Sequence, residues 1–240
     1  MRKLYLLFSL LFCFSTHAGN SPQGNQFILV ITPDGDANQG LLQRYQRLSN
    51  THQWNTVGNP MSVLVGKNGM ALGFDFNNDS IKLPIKKEGD GRTPMGIFNL
   101  GPAFGFDKTS SIANFDYLPI NEKTVCVDDP QSHYYNQVLD SSTISKPDWH
   151  SQEDMHKISV YRYGSIIQYN KDGRTPGAGS CIFIHLSTSH TTGTLGCVAM
   201  DEANLKILLA WLNKTQNPTI GLFTKSVYKE VRDKHDLPQI

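Results

Sequence analysis

The chain has 240 residues, 39% of them hydrophobic, enough to bury the core of one large globular domain or of two small ones. Its 20 glycines and 12 prolines point to a fold rich in β structure and loops. With 22 basic against 21 acidic side chains and no basic block, it lacks the electrostatic footprint of a nucleic-acid groove.

The first eighteen residues read as a secretory signal peptide. Arg2 and Lys3 form a positive start, Leu4 to Phe14 an apolar stretch, and Thr16-His17-Ala18 a small-residue cleavage site. The apolar stretch is too short to span a bilayer as a helix, and no later segment is long and apolar enough to do so. Cys13 is a poor lipid-anchor candidate because Phe12 before it is bulky. Cleavage after Ala18 predicts one mature domain over 19–240, with 20 basic against 21 acidic side chains. Export would place it in the periplasm, where disulfides persist. Three cysteines remain there, Cys126, Cys181 and Cys197, so at least one thiol stays free unless it bridges to another chain.

Gln26 to Thr32 (QFILVIT) predicts a strand closed by Pro33 and a Gly/Asp turn. Leu41, Leu42, Tyr45 and Leu48 recur at helical spacing. Met61 to Val65 and Met70 to Asp75 flank Lys67-Asn68-Gly69, which predicts a tight hairpin turn. Residues 100–156 carry few periodic signals and read as a long structured functional loop. Short strands are expected at 95–99, 157–162 and 165–169, with Gly164 turning the chain before the last. Ser180 to Ser187 (SCIFIHLS) predicts a buried strand with Cys181, Phe183 and His185 on one face and Ile182, Ile184 and Leu186 on the other. Asp201 is placed to cap a helix running to about Asn213, its apolar face built from Leu205, Leu208, Leu209 and Leu212 and widened by Ile207 and Trp211.

The stretch FIHLSTSHTTGTLGCVAM, residues 183–200, carries the chemistry. Cys197 can act as a nucleophile once ionised, and His185 can take its proton and return it to a leaving amine. Gly196 leaves room for backbone N–H groups to meet an oxyanion, and the Thr194 hydroxyl can support the loop. An activated Cys197 would be alkylated well below pH 8.5, and more slowly without His185. His190 is a competing base in an exposed loop position, and Cys181 is core filler or half of a bridge to Cys126. His133, His150, His156, His185 and His190 form no HExxH pattern, there is no CxxC pair, and no metal or cofactor is expected.

IFIHLSTSHTTGTLGCVAM resembles the catalytic signature of the L,D-transpeptidase (YkuD-type) family, and GDGRTPMGIF resembles that family's Gly-rich strand entry. The VGKNG turn, CVDDPQSHYYN, DWHSQEDM and YNKDGRTPGAGSCIFIH extend the likeness to about residues 27–222. The resemblance implies a mainly β fold with a few helices, a sandwich or barrel. It implies Cys197 as the nucleophile that forms a thioester with a peptidoglycan stem peptide, His185 as base oriented by a backbone carbonyl, and Thr194 and Gly196 as motif residues. Many members carry an arginine two positions after the cysteine, where this chain has Ala199, and the loop from His185 to Cys197 holds only eleven residues. The acceptor therefore stays open. An amine gives L,D-transpeptidation, water an L,D-carboxypeptidase or amidase, and a site without turnover a cell-wall-binding protein.

The pentapeptide DGRTP occurs twice, at Asp90–Pro94 and Asp172–Pro176, with flanks that share nothing. Each copy reads as a turn feeding a strand, since Asp-Gly turns the chain and Thr-Pro extends it. Arg174 is the candidate to replace the basic group missing at Ala199, ahead of Arg92. Tyr134, Tyr135 and Trp149 are candidates to line a substrate groove.

Overall fold

The computed structural model describes residues 22, 24–48, 51, 53–74, 76, 81–109, 112–171 and 174–240. The expected signal peptide at 1–18 lies outside the described residues, as do Asp75, Asp172 and Gly173. The strands among them are β1 (Gln26–Thr32), β2 (Gln39–Gln46), β3 (Asn55–Leu64), β4 (Met70–Leu72), β5 (Thr93–Gly105), β6 (Tyr117–Pro119) and β7 (Thr124–Val127). They continue with β8 (Gln137–Asp140), β9 (Gln152–Asp154), β10 (Tyr163–Ile167), β11 (Phe183–Leu186), β12 (Val198–Met200) and β13 (Thr219–Thr224). Two α-helices follow β12 and β13 respectively, α1 (Glu202–Trp211) and α2 (Lys225–Val231). No helix among the described residues is long and apolar enough to cross a membrane.

The main sheet runs β10-β11-β12-β3-β2-β1-β13-β5, and β10 also pairs with β5, so the ring closes into a barrel. Closure pairs the backbone groups that an open sheet would leave at its edges. The mainly β expectation holds, with a barrel as its form. β1 and β13 pair in parallel and are buried along almost their whole length, which is why QFILVIT and TIGLFT read as near-continuous apolar runs. A separate small sheet, β8-β7-β9, stands beside the barrel.

Several elements differ from the sequence reading, each for a local reason. The helical spacing of Leu41, Leu42, Tyr45 and Leu48 belongs to a strand and the residues just after it, Leu48 lying past the end of β2. A bulge between Leu42 and Arg44 resets the alternation, so Leu42 and Tyr45 both turn inward three residues apart. Lys67-Asn68-Gly69 does form a tight turn, with the Gly69 N–H donating to the Gly66 carbonyl at 2.7 Å. It makes no hairpin, because β4 pairs in parallel with β5 instead of returning along β3. Residues 157–162 are not a strand but belong to two short 3₁₀ turns, Met155–Lys157 and Ser159–Arg162. Gly164 sits inside β10, where a Cβ would lie 2.3 Å from the Phe104 ring; glycine serves close strand approach there, not a turn. The region 100–156 contains β6 to β9, strands of three or four residues that are too short to show a period. The second DGRTP does not feed a strand either, since Pro176 lies in a loop that reaches β11 only at Phe183.

Asp201 caps α1 as expected, its Oδ1 accepting the Asn204 N–H at 2.9 Å. Leu205, Leu208, Leu209 and Leu212 are buried, each contributing about 1.5–3 kcal/mol relative to exposure. Ile207 points outward, 49% exposed, so the apolar face is narrower than predicted.

β11 is buried on both faces, and its alternation divides two clusters. Ile182, Ile184 and Leu186 join the large barrel core. Cys181 and Phe183 join a second cluster with Phe104, Cys126, Tyr161 and Cys197. This second cluster is the floor of the candidate site.

Candidate active site

β11 and β12 run in parallel with His185 paired to Ala199, and Cys197 stands two residues before Ala199. With side chains alternating along each strand, this register puts the imidazole and the thiol on one side of the sheet. The Phe183 N–H donates to Cys197 Sγ at 3.3 Å, and Sγ–H in turn donates to the Cys181 carbonyl at 3.4 Å. His185 Nδ1 lies 2.7 Å from the Leu186 carbonyl. A carbonyl only accepts, so Nδ1 carries the proton and Nε2 is left as the basic nitrogen. This is the backbone orientation that the resemblance implied.

Both groups are neutral at rest. Burial and the charge of Glu153 push the thiol up to about 12, and burial holds the imidazole down at about 4. The apolar floor favours the uncharged form of both groups.

The loop before Cys197 is held from two sides. Thr194 Oγ1 donates to the Cys197 carbonyl at 2.7 Å and accepts the Gly196 N–H at 3.0 Å. The Gly196 N–H thus holds the loop rather than standing free in the cleft. Gly196 has φ +151, and a Cβ there would lie 3.1 Å from both the Arg92 carbonyl oxygen and Ile182, which excludes larger residues. On the other side stands Thr93, fully buried. It accepts the Gly66 N–H at 2.8 Å and donates to the Gly196 carbonyl at 2.8 Å. The Lys67 N–H bonds the Thr194 carbonyl at 2.7 Å, so the VGKNG turn is a wall of the site.

The residue of the first DGRTP that holds the Cys197 loop is therefore its threonine. Its arginine is structural: Arg92 Nη1 donates to the Gly35 and Met70 carbonyls at 3.2 Å, and Nη2 pairs with Asp36. Thr93→Val keeps the shape and leaves Gly66 N–H and Gly196 C=O unpaired, a cost of about 1–3 kcal/mol. Thermal unfolding should show a Tm drop of several degrees, with faster alkylation of Cys197 as its loop loosens. An unchanged Tm would count against this role.

A cleft of about 460 Å³ opens over Cys197 and His185. Its polar lining includes Glu88, Asp128, Glu153 and Tyr161 along with Thr194. None of these four was singled out from the sequence. Glu153 lies where the chain shows few periodic signals and Tyr161 where a strand is expected, and only the small sheet and a 3₁₀ turn bring them to the cysteine. The Oδ1 of Asp128 is buried with no hydrogen-bond partner among the described residues. The cleft lining carries Ala199 and three carboxylates, and no arginine is among its lining residues. A larger groove of about 990 Å³ runs over β1, β2 and β3 and meets the cleft at Ser187, Ser189 and Ala199, but no cysteine lines it.

The remaining candidates are not in the cleft lining. Arg174 is exposed with φ +39 in the loop before β11. Tyr135 is buried, its hydroxyl donating to Glu88 and accepting the Gly179 N–H at 3.1 Å. Tyr134 and Trp149 meet edge to face at 5.4 Å on the small-sheet side. His190 is exposed at the groove, as its loop position suggested. Cys126 and Cys181 form a disulfide, which leaves Cys197 as the free thiol among the described cysteines.

The profile of the L,D-transpeptidase catalytic domain family, YkuD, matches residues 38–222. Among solved structures, the chain is similar to the helical cell shape determining protein Pgp2 from Campylobacter jejuni, at 15% identity and a TM-score of 0.39. That similarity covers 85% of this chain and 49% of the Pgp2 chain, so this chain spans about half the length of Pgp2. No curated protein matches. The family match covers the barrel from β2 to β13, together with the His185–Cys197 loop, and the chain belongs to the YkuD family of L,D-transpeptidase catalytic domains.

Proposed function

We propose that the protein is an extracytoplasmic cysteine acyltransferase acting on peptidoglycan stem peptides, with Cys197 as nucleophile and His185 as base. The observation that carries this reading is the fixed tautomer of His185. Its Nδ1–H is committed to the Leu186 carbonyl, which leaves Nε2 basic on the same sheet face as the buried free thiol.

Substrate entering the cleft displaces water and brings its carbonyl to the sulfur. His185 Nε2 takes the thiol proton as the C–S bond forms, so no thiolate need accumulate beforehand. The tetrahedral intermediate collapses to a thioester, and the imidazolium returns its proton to the departing amine. A second amine attacks the thioester, gives its proton to His185, and leaves with the acyl group while the thiol is restored.

The test is incubation of the mature protein with purified tetrapeptide muropeptides, read by mass spectrometry against Cys197→Ala. Cross-linked dimers that vanish in the variant are the expected result. Tripeptides in place of dimers would make water the acceptor and the enzyme a carboxypeptidase, and bare glycan would make it an amidase. No product from the unmodified protein would leave a binding role and defeat the catalytic reading.

A further inference from the structure

Beside the Cys–His pair, a carboxyl and a phenol meet the nucleophile. The 3₁₀ turn Ser159–Arg162 delivers Tyr161, whose hydroxyl donates to Glu153 Oε2 at 2.7 Å. Tyr161 and Cys197 share one buried cluster and line the same cleft, the resting sulfur being bonded by the Phe183 N–H and the Cys181 carbonyl. The Tyr161 ring lies edge-on to His185 at 5.3 Å and to Phe183 at 5.4 Å. A phenol has one proton to donate, so it can serve the carboxylate or the sulfur but not both at full strength.

Glu153 is tied to the nucleophile's floor through the small sheet and its disulfide. On β9 it lies directly opposite Cys126 of β7, and Cys126 is bridged to Cys181, whose carbonyl receives the Cys197 thiol proton. The charged groups facing this corner are Glu88 and Asp128 beside Glu153, and Lys86, which is paired with Asp90 at 2.6 Å. Burial, with the charges of Asp128 and Glu88 added, raises Glu153 to about 7. Its charge therefore changes within the ordinary working range.

The geometry points to Glu153 as a positioning residue that acts through Tyr161, deciding whether the Cys197 sulfur receives the phenolic hydrogen bond. This inference rests on the reading of Cys197 as nucleophile. With Glu153 ionised, the carboxylate takes the phenolic hydrogen bond and its charge opposes a thiolate. With Glu153 protonated, the carboxyl O–H donates to the Tyr161 oxygen and the phenolic O–H turns to Sγ. The only proton gained is the one on Glu153. Ionisation of the sulfur and protonation of the carboxyl then favour each other.

The test is the rate of Cys197 alkylation by iodoacetamide from pH 5.5 to 9.5 in the mature, disulfide-bonded protein. Wild type is compared with Glu153→Gln, Tyr161→Phe and the double variant. Glu153→Gln should speed alkylation roughly tenfold at pH 8, chiefly because the phenolic hydrogen bond is released to the sulfur, with a smaller share from the lost like charge. In the Tyr161→Phe background, less than half of that gain should remain on a logarithmic scale. Equal gains with and without the phenol, or no gain at all, would overturn the inference. Should Glu153→Gln fail to fold, Tyr161→Phe alone decides. The wild-type log-rate curve should bend near pH 7 as Glu153 ionises, and a bend of the same size in Tyr161→Phe would overturn it. Alkylation needs no peptidoglycan, so the muropeptide experiment can fail while this coupling stands, and the reverse.

Discussion

Replacing His185 by alanine is expected to cut turnover by about 10²–10⁴-fold, the usual worth of a general base. Alkylation of Cys197 in the free protein at neutral pH should meanwhile stay within about threefold of wild type, because His185 does not set the resting thiolate fraction. The reasoning is electrostatic. A preformed ion pair would need a cationic imidazole in the same apolar pocket that holds His185 at about 4 and the thiol at about 12. Two charges there cost more in lost hydration than their attraction returns unless further partners are supplied. The proton therefore moves when substrate is bound, and His185 matters in the transition state. Parallel losses in turnover and alkylation would instead mean a standing ion pair.

The same variant should change the acid limb of the stability curve. The folded imidazole titrates below its ordinary 6.5, so between pH 6.5 and 4 the unfolded chain binds more protons than the folded one. Stability is intact above 6.5 and is lost as pH falls through that window, by on the order of 3 kcal/mol for this group. His185→Ala should flatten that part of the curve in denaturant titrations at successive pH values.

How much of this was legible in the sequence follows the range of each signal. The β11 face pattern, the Asp201 cap and the Thr194–Gly196–Cys197 loop are local, and the structure forms each of them where the residues indicated. The β2 bulge is local too, yet it imitates a helix because one extra residue turns a spacing of two into three. Contacts made across long separations left no trace. Thr93 meets Gly196 across 103 positions, and Tyr135 meets Gly179 across 44. The twin DGRTP shows the limit well. Identical pentapeptides lead into β5 in one copy and into an exposed loop in the other, since their partners rather than their residues decide the outcome.

Removing the Cys126–Cys181 bridge, in the double variant Cys126→Ala/Cys181→Ala, should cost about 4 kcal/mol, the chain-entropy value for a loop of this size. The bridge spans 55 residues of sequence. A loss of that size lowers Tm by roughly 8–16 °C in a domain of this length. Other ties should keep the small sheet docked at low temperature. The Asn136 side chain accepts the Cys181 N–H at 2.9 Å and donates to the Tyr169 carbonyl at 2.8 Å, while Tyr135 and Ser180 both bond Glu88. The chemistry should suffer even while the protein is folded, because Cys181 sits at φ +54 with its carbonyl on the thiol, and the bridge sets that peptide against β7. Without it, the Cys181 carbonyl and Glu153 lose their fixed distance from Cys197. At 15 °C, turnover should fall at least about tenfold, as small misplacements of reacting groups do. Alkylation of Cys197 should rise, since a loosened floor exposes a thiol that is now buried. The opposite signs separate this account from simple unfolding, which would end turnover outright, and from a merely stabilising bridge, which would leave turnover at 15 °C unchanged.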